Sequence, residues 1–370
     1  MKIIISGGGT GGHIYPAIAI AQTLKSIAPE TEILFVGAEG KMEMEKVPKA
    51  GFEIIGLPIR GLQRSLSLEN LKFPFRLAAS LMKASKIIRD FKPQVCIGVG
   101  GYASGAVMQM AVLQGIPTLI QEQNSHAGLT NKWLGKFVNS ICVSYPNMEN
   151  YFPASKIVYC GNPVRKDLLD IVAIKEEACK FFGISPNKKT VLVVGGSLGA
   201  KSINEAILHS IESLLALDFQ VVWQTGSTDF KRITQAMQSK KIANQATNLL
   251  IKDFIYEMKY AYSVADVVVS RAGALALSEL ALAAKPTILV PFPYAAEDHQ
   301  TKNALSFVNQ EAGILLKDSE VKQNLQATLI NLLQDNALQK KLATNMQVFA
   351  RPKAAELIAE EVMKLAKYVS

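Results

Sequence analysis

The chain has 370 residues, 49% of them hydrophobic and 19% charged, with a formal net charge of +9. That much apolar material excludes a disordered chain, and the length exceeds the roughly 100–200 residues of one ordinary domain, so two domains are expected. The four cysteines have neither C-x-x-C nor zinc spacing, which argues against a disulfide scaffold and for buried free thiols of a reducing compartment.

In chain order, an apolar run at 2–6 predicts a strand. The stretch GGGTGGHIYPA follows from Gly7 and leads into a helical pattern. A glycine loop between a strand and a helix exposes backbone N–H groups at the positive end of the helix dipole, where a diphosphate can approach. Gly7, Gly9 and Gly12 also satisfy the dinucleotide fingerprint, with Glu39 as its ribose acid, and a tight structural turn is the plain alternative. The amino terminus shows no long apolar segment with a small-residue cleavage site, so export by a signal peptide is not expected.

After a strand at 32–36, residues 60–92 carry eight basic side chains against Glu69 and Asp90. Phe73, Phe75 and Leu77 are interleaved with Arg76, Lys83 and Lys86. Such a segment suits an anionic membrane surface, or else it is a helix with a solvated basic face. No nucleic-acid recognition motif accompanies the charge, so nucleic acid is not an expected partner. Residues 93–121 carry no charge but are cut by prolines and glycines. They read as strand 94–98, a second glycine loop at 99–105, a short helix and strand 118–121, and not as a membrane span.

A strand at 140–143 precedes the extended VYCGNPVR, after which the rhythm restarts. Strands are predicted at 190–194, 220–224, 248–251, 266–270 and 287–290, with a third glycine loop, GGSLGA, after the first of them. An amphipathic helix at 352–368 closes the chain and can pack back on the first domain. This alternation predicts two doubly wound α/β domains meeting near Asn162-Pro163. A nicotinamide dinucleotide would need one glycine loop. Three loops over two domains suit a nucleotide diphosphate on one side and a second phosphorylated substrate on the other.

GGTGGH, GVGGYASG, QEQNSHAGLTNKWL, GNPVR, VVGGSLGA, ADVVVSRAGALALSELA and EDHQTKNA together resemble, in order and spacing, the lipid-I N-acetylglucosaminyltransferases, the MurG family. The resemblance covers nearly the whole chain. It implies a GT-B fold, two Rossmann-like domains facing a central cleft: 1–163 for the acceptor and membrane, joined by helix 352–368, and 164–351 for the donor. It also implies transfer of N-acetylglucosamine from UDP-GlcNAc to undecaprenyl-diphospho-N-acetylmuramoyl-pentapeptide (lipid I), with no metal cofactor, at the cytoplasmic face of the inner membrane. The alternatives are another GT-B enzyme acting on a membrane lipid, a nicotinamide oxidoreductase, or a non-catalytic sugar-nucleotide-binding protein.

Carried over by position, the resemblance places UDP-GlcNAc against Thr10, Gly11, Gly12, Asn124, Arg165, Ser197, Ile255, the run Ala274, Leu275, Ala276, Leu277, Ser278 and Glu279, and Gln300. Arg165 would supply a cation to the diphosphate, Ile255 would read uracil through its backbone, and Glu279 would accept from ribose hydroxyls. The family often carries paired glutamines where His299 and Gln300 stand here, so the role of His299 stays open. Gly101, Tyr102 and Ser104 of the second loop are candidates for the acceptor diphosphate. His13 is the candidate general base, because a helix N-terminus disfavours imidazolium; the alternative is that it only positions backbone or acceptor. Arg271 reads equally as an ion-pair residue, and His126 as a ligand contact or a turn residue. No histidine cluster or Asp-x-Asp pair has metal-ligand spacing.

Overall fold

The computed structural model describes residues 1–61, 73–164, 166–168, 171–240 and 248–367. The chain divides into two compact units, Met1–Val164 with Arg351–Ser370, and Arg165–Ala350.

The first unit is built on a seven-stranded sheet: β1 (Lys2–Ser6), β2 (Glu32–Ala38), β3 (Glu53–Leu57), β4 (Val95–Gly98), β5 (Thr118–Glu122), β6 (Ser140–Val143) and β7 (Ile157–Tyr159). Their spatial order is β3-β2-β1-β4-β5-β6-β7, and every pairing is parallel. Ile3, Ile4 and Ile5 are all fully buried, because helices cover both faces of a parallel sheet and no alternation survives. The helices are α1 (Gly11–Ile27), α2 (Glu43–Lys49), α3 (Phe73–Phe91), α4 (Tyr102–Leu113), α5 (Leu129–Leu134) and, from the far end of the chain, α14 (Ala354–Lys367). Ile358, Ala359, Val362 and Leu365 of α14 share one core with Ile14, Ile18 and Leu24 of α1. The final helix therefore completes the first unit.

The second unit has six strands: β8 (Thr190–Val194), β9 (Gln220–Gln224), β10 (Leu249–Lys252), β11 (Val267–Ser270), β12 (Thr287–Leu289) and β13 (Ile314–Leu315). They run β10-β9-β8-β11-β12-β13, again all parallel. Helices α6 (Lys175–Phe182), α7 (Lys201–Ala216), α8 (Phe230–Ser239), α9 (Met258–Val264), α10 (Ala274–Ala283), α11 (His299–Val308), α12 (Val321–Gln334) and α13 (Asn336–Gln347) surround the sheet. Trp223 is fully buried in its core, its indole N–H donating to Asn204 Oδ1 at 3.0 Å.

Strands β3 and β13 were not expected from the sequence. β3 is a five-residue strand following a short helix, its apolar run interrupted by Gly56 and ended by Pro58, and β13 is two residues long, too short for a pattern to show. The four cysteines are free and buried. Burial pushes the Cys96 thiol up, and hydrogen bonding to Cys160 together with burial does the same to Cys142. These are inert thiols.

Candidate active site

In each unit the strand order reverses once, between β1 and β4 in the first and between β8 and β11 in the second. Ligands of open parallel sheets bind at such switch points, outside the carboxyl ends of the strands. The three glycine loops follow β1, β4 and β8.

In the first unit the loops after β1 and β4 pack on each other. Gly8 N–H donates to Gly100 O at 3.3 Å, and a Cβ on Gly100 would lie 2.8 Å from His13 Nε2. The imidazole thus leans on the second loop. Its Nδ1 lies 3.0 Å from Gly8 O and 3.5 Å from Thr10 Oγ1. A carbonyl only accepts, and the shorter contact prevails, so Nδ1 carries a proton, and in the neutral ring Nε2 then keeps its lone pair. That is the tautomer a base requires.

Glu43, at the start of α2, is only 1% exposed. Its carboxylate accepts from Gly9 N–H and from Ala38 N–H, each at 3.0 Å. Only glycine fits at position 8, where a Cβ would sit 2.2 Å from Glu43 Oε1. The Gly9 amide is thereby engaged by a carboxylate, which weakens the dinucleotide reading, since in that fingerprint this backbone approaches a pyrophosphate.

A run of polar residues from Gln121 to His126 ends β5 and opens the next loop. Glu122 is buried and accepts from Asn124 N–H, Asn124 Nδ2, Gly128 N–H and Asn131 Nδ2 at 2.9–3.1 Å. The Asn124 amide nitrogen therefore points inward to Glu122. Gln123 Nε2 donates to Val99 O at 2.9 Å, which fastens this loop to the second glycine loop. His126 has both ring nitrogens engaged, Nδ1 with Tyr151 OH at 2.7 Å and Nε2 with Lys132 Nζ at 3.0 Å. Its place is in the loop's own framework.

In the second unit a cavity of about 690 Å³ is lined by the loop from Gly195 to Ala200, by Ala276 and by Phe292, Tyr294 and Gln300. Ser197 is exposed in that loop. Helices α7 and α10 start beside it, each with first-turn N–H groups that lack intrahelical acceptors. At Gly199 a Cβ would meet Thr225 O at 2.0 Å, so a side chain there would break the loop. Gln300 Oε1 accepts from Phe292 N–H at 3.0 Å. Glu297 and Asp298, just before α11, both adopt left-handed φ values of 52° and 56°, strain that costs about 1–2 kcal/mol each and is tolerated where geometry matters. Glu279 Oε2 accepts from Tyr262 OH at 3.1 Å. Arg271 is an internal brace: Nη1 donates to Val290 O, Pro291 O and Asp318 Oδ1, and Nη2 to Ser202 Oγ.

For three nominated residues the surroundings limit which of their groups can reach a ligand. Ser104 is fully buried and its hydroxyl faces Gly98 under the loop, so its route to an acceptor diphosphate is the N–H it contributes to the first turn of α4. Leu277 is also fully buried, and its N–H donates to Gly273 O, leaving neither side chain nor amide for the donor. The Ile255 N–H donates to Gln224 Oε1 at 2.9 Å, so reading uracil through that amide would require Gln224 to turn away. Arg165 lies outside the described residues. Gly101 caps α4, and Tyr102, half-exposed, opens it with its ring across Gly61. Glu43, Glu122 and Gln224 were missed; the sequence signal for the last two is a polar residue ending an apolar strand.

Residues 3–143 match the glycosyltransferase family 28 N-terminal domain, and residues 190–358 match the family 28 C-terminal domain. The UDP-N-acetylglucosamine--N-acetylmuramyl-(pentapeptide) pyrophosphoryl-undecaprenol N-acetylglucosamine transferase of Parabacteroides distasonis is 50% identical over 364 residues, spanning 98% of each chain. The chain belongs to this transferase family. The transferase of the same description from Cytophaga hutchinsonii is also 50% identical, covering 98% of this chain and 96% of its own. The solved MurG structure of Acinetobacter baumannii superposes with a TM-score of 0.79 at 28% identity, over 98% of this chain and 99% of that one. A calicheamicin glycosyltransferase shares the fold alone, with a TM-score of 0.71 at 14% identity. Two parallel-sheet Rossmann-like domains carry the glycine loops of this GT-B enzyme.

On α3, Phe75 is 78% and Met82 68% exposed. Lys86 is exposed, as is Lys83, which pairs with Glu39 at 3.0 Å, while Phe73, Arg76 and Leu77 are half-buried. Leu113, beside the Gln114 that donates to Ser85, is a further exposed apolar residue. Among the described residues, no helix is long and apolar enough to cross a membrane, and no three His, Cys, Asp or Glu side chains gather as metal ligands.

Proposed function

We propose that this protein is an inverting glycosyltransferase that moves N-acetylglucosamine from UDP-GlcNAc to the 4-hydroxyl of the N-acetylmuramoyl unit of lipid I, giving lipid II for peptidoglycan. The observation that carries this reading is 50% identity over 98% of the chain to a transferase described by that donor and acceptor.

The chemistry needs two things from the protein. Charge that develops on the departing UDP must be stabilised, and the acceptor hydroxyl must lose its proton as it attacks the anomeric carbon. In the second unit, the amides of the Ser197 loop and the starts of α7 and α10 supply dipoles suited to the diphosphate. Arg165 adds a cation by its position in the sequence. In the first unit, His13 takes the proton at Nε2, in keeping with its contact to Gly8 O. On this reading no divalent cation is needed, because backbone dipoles and arginine do its work. The enzyme docks on the anionic cytoplasmic face of the inner membrane through the basic, apolar surface of α3.

The test is transfer of radiolabel from UDP-GlcNAc to a short-chain lipid I analogue in excess EDTA. Product should form at the rate seen without chelator. Loss of turnover that magnesium restores would defeat the metal-free mechanism, and absence of transfer under either condition would defeat the assignment.

A further inference from the structure

Glu43 plays no part in the reading above, yet it is a buried carboxylate reaching into the loop that carries His13. The two contacts meet on one peptide group. Gly9 N–H donates to Glu43 Oε2 at 3.0 Å, and the carbonyl of the same peptide, Gly8 O, lies 3.0 Å from His13 Nδ1. The other carboxylate oxygen is anchored at 3.0 Å by Ala38 N–H, at the end of β2.

We propose that Glu43 is a positioning residue for transfer, acting on the imidazole of His13 through the Gly8–Gly9 peptide. This rests on the reading of His13 as the base. A carboxylate accepting from one end of a peptide polarises it, and the carbonyl at the other end becomes a stronger acceptor. A stronger acceptor at Gly8 O holds the Nδ1 proton in place, which keeps the Nε2 lone pair available and the ring in one orientation. No proton crosses the peptide; the relay orients and polarises. A carboxylate placed directly on imidazole does the same job in hydrolytic triads, with the peptide here as the intervening link. The geometry explains two further features. Gly8 has no room for a side chain, because the carboxylate occupies that space. Thr10 precedes α1 without its hydroxyl capping a backbone N–H of the helix, and the loop's backbone is instead anchored by Glu43 at Gly9.

The experiment uses the full-length protein with ¹⁵N-labelled histidine. Long-range ¹H–¹⁵N correlation reports which ring nitrogen bears the proton, and His13→Gln identifies the His13 signals. The parent should show His13 protonated at Nδ1. In Glu43→Gln that preference should weaken, and kcat should fall about 10- to 100-fold with KM for UDP-GlcNAc unchanged, the usual cost of losing an outer hydrogen-bonding partner. A part that was merely structural would lower the melting temperature and leave the tautomer alone. His13 protonated at Nε2 in the parent, or a Glu43→Gln protein with parental tautomer and kcat, overturns the proposal. Where Glu43→Gln does not fold, Glu43→Asp, which keeps the charge and shortens the reach, is read by the same two criteria. Full turnover by His13→Gln would remove the base itself, an outcome separate from the tautomer of the parent.

Discussion

Individual polar side chains in this protein do their work by where their hydrogen bonds end. Glu122 spends its carboxylate on four N–H groups and so decides which way Asn124 points. Away from the glycine loops, Lys285 shows the cost of burying a charge. Burial lowers its ammonium from the ordinary lysine range to about 8, against the attraction of Asp266, and its Nζ donates to Ala265 O at 2.8 Å. Below about pH 8 the lysine is protonated in both folded and unfolded chains, and the net penalty of about 3 kcal/mol is fully present. Between about 8 and 10.5 the folded state sheds the proton first, so the penalty fades as pH rises. Lys285→Met should therefore be more stable than the parent at pH 7 by about 1–2 kcal/mol, after about 1 kcal/mol is lost with the Ala265 bond. Urea melts at pH 7 and pH 10 check this. A difference that does not shrink at the higher pH would show that the ammonium is not desolvated.

At the scale of elements, α3 carries the claim furthest from any glycine loop. Its buried face is Ser80, Ala84, Ile87 and Ile88, and Phe75 and Met82 remain exposed. Replacing Phe75 and Met82 with serine, or Arg76, Lys86 and Arg89 with glutamine, should reduce sedimentation with anionic vesicles, by about 1 kcal/mol for each cation that reaches the surface. Lys83→Gln should matter less, because Glu39 already neutralises it. Equal sedimentation of parent and variants across a salt series would leave α3 an ordinary solvated helix. Most elements were readable in advance. Strands at 2–6, 140–143, 190–194 and 220–224 match their observed bounds, since the middle of a strand buried on both faces must be apolar. β3 was not, because Gly56 interrupts its apolar run and Pro58 ends it.

For the whole molecule, two separate cores imply two separable stabilities. Val362 of α14 lies in the core of the first unit, whereas Glu279 belongs to α10 of the second. Val362→Asp should lower a calorimetric transition of the first unit by several kcal/mol, since it buries an unpaired charge. UDP at a hundred times its Kd should raise the transition of the second unit by about 2.7 kcal/mol. Glu279→Ala should remove most of that gain, the loss of a charged hydrogen bond being about 1.5–3 kcal/mol. An undiminished UDP effect in Glu279→Ala would take the residue out of the nucleotide site.

Fold class and the three glycine loops could be read directly from residue order, because both are local. Apolar runs, glycines and helix starts are adjacent in the chain, and periodicity records them. The loops' internal support could not be read that way. Glu43 reaches Gly9 across 34 residues, Gln224 reaches Ile255 across 31, and Arg271 reaches Asp318 across 47. Burial likewise separated Ser104 and Leu277 from neighbours of similar chemistry. A side chain's partner and its exposure are properties of packing in three dimensions. Chain order can nominate residues such as His13, but which of its nitrogens holds the proton is decided by a carbonyl five residues back, held in turn by a carboxylate from another helix.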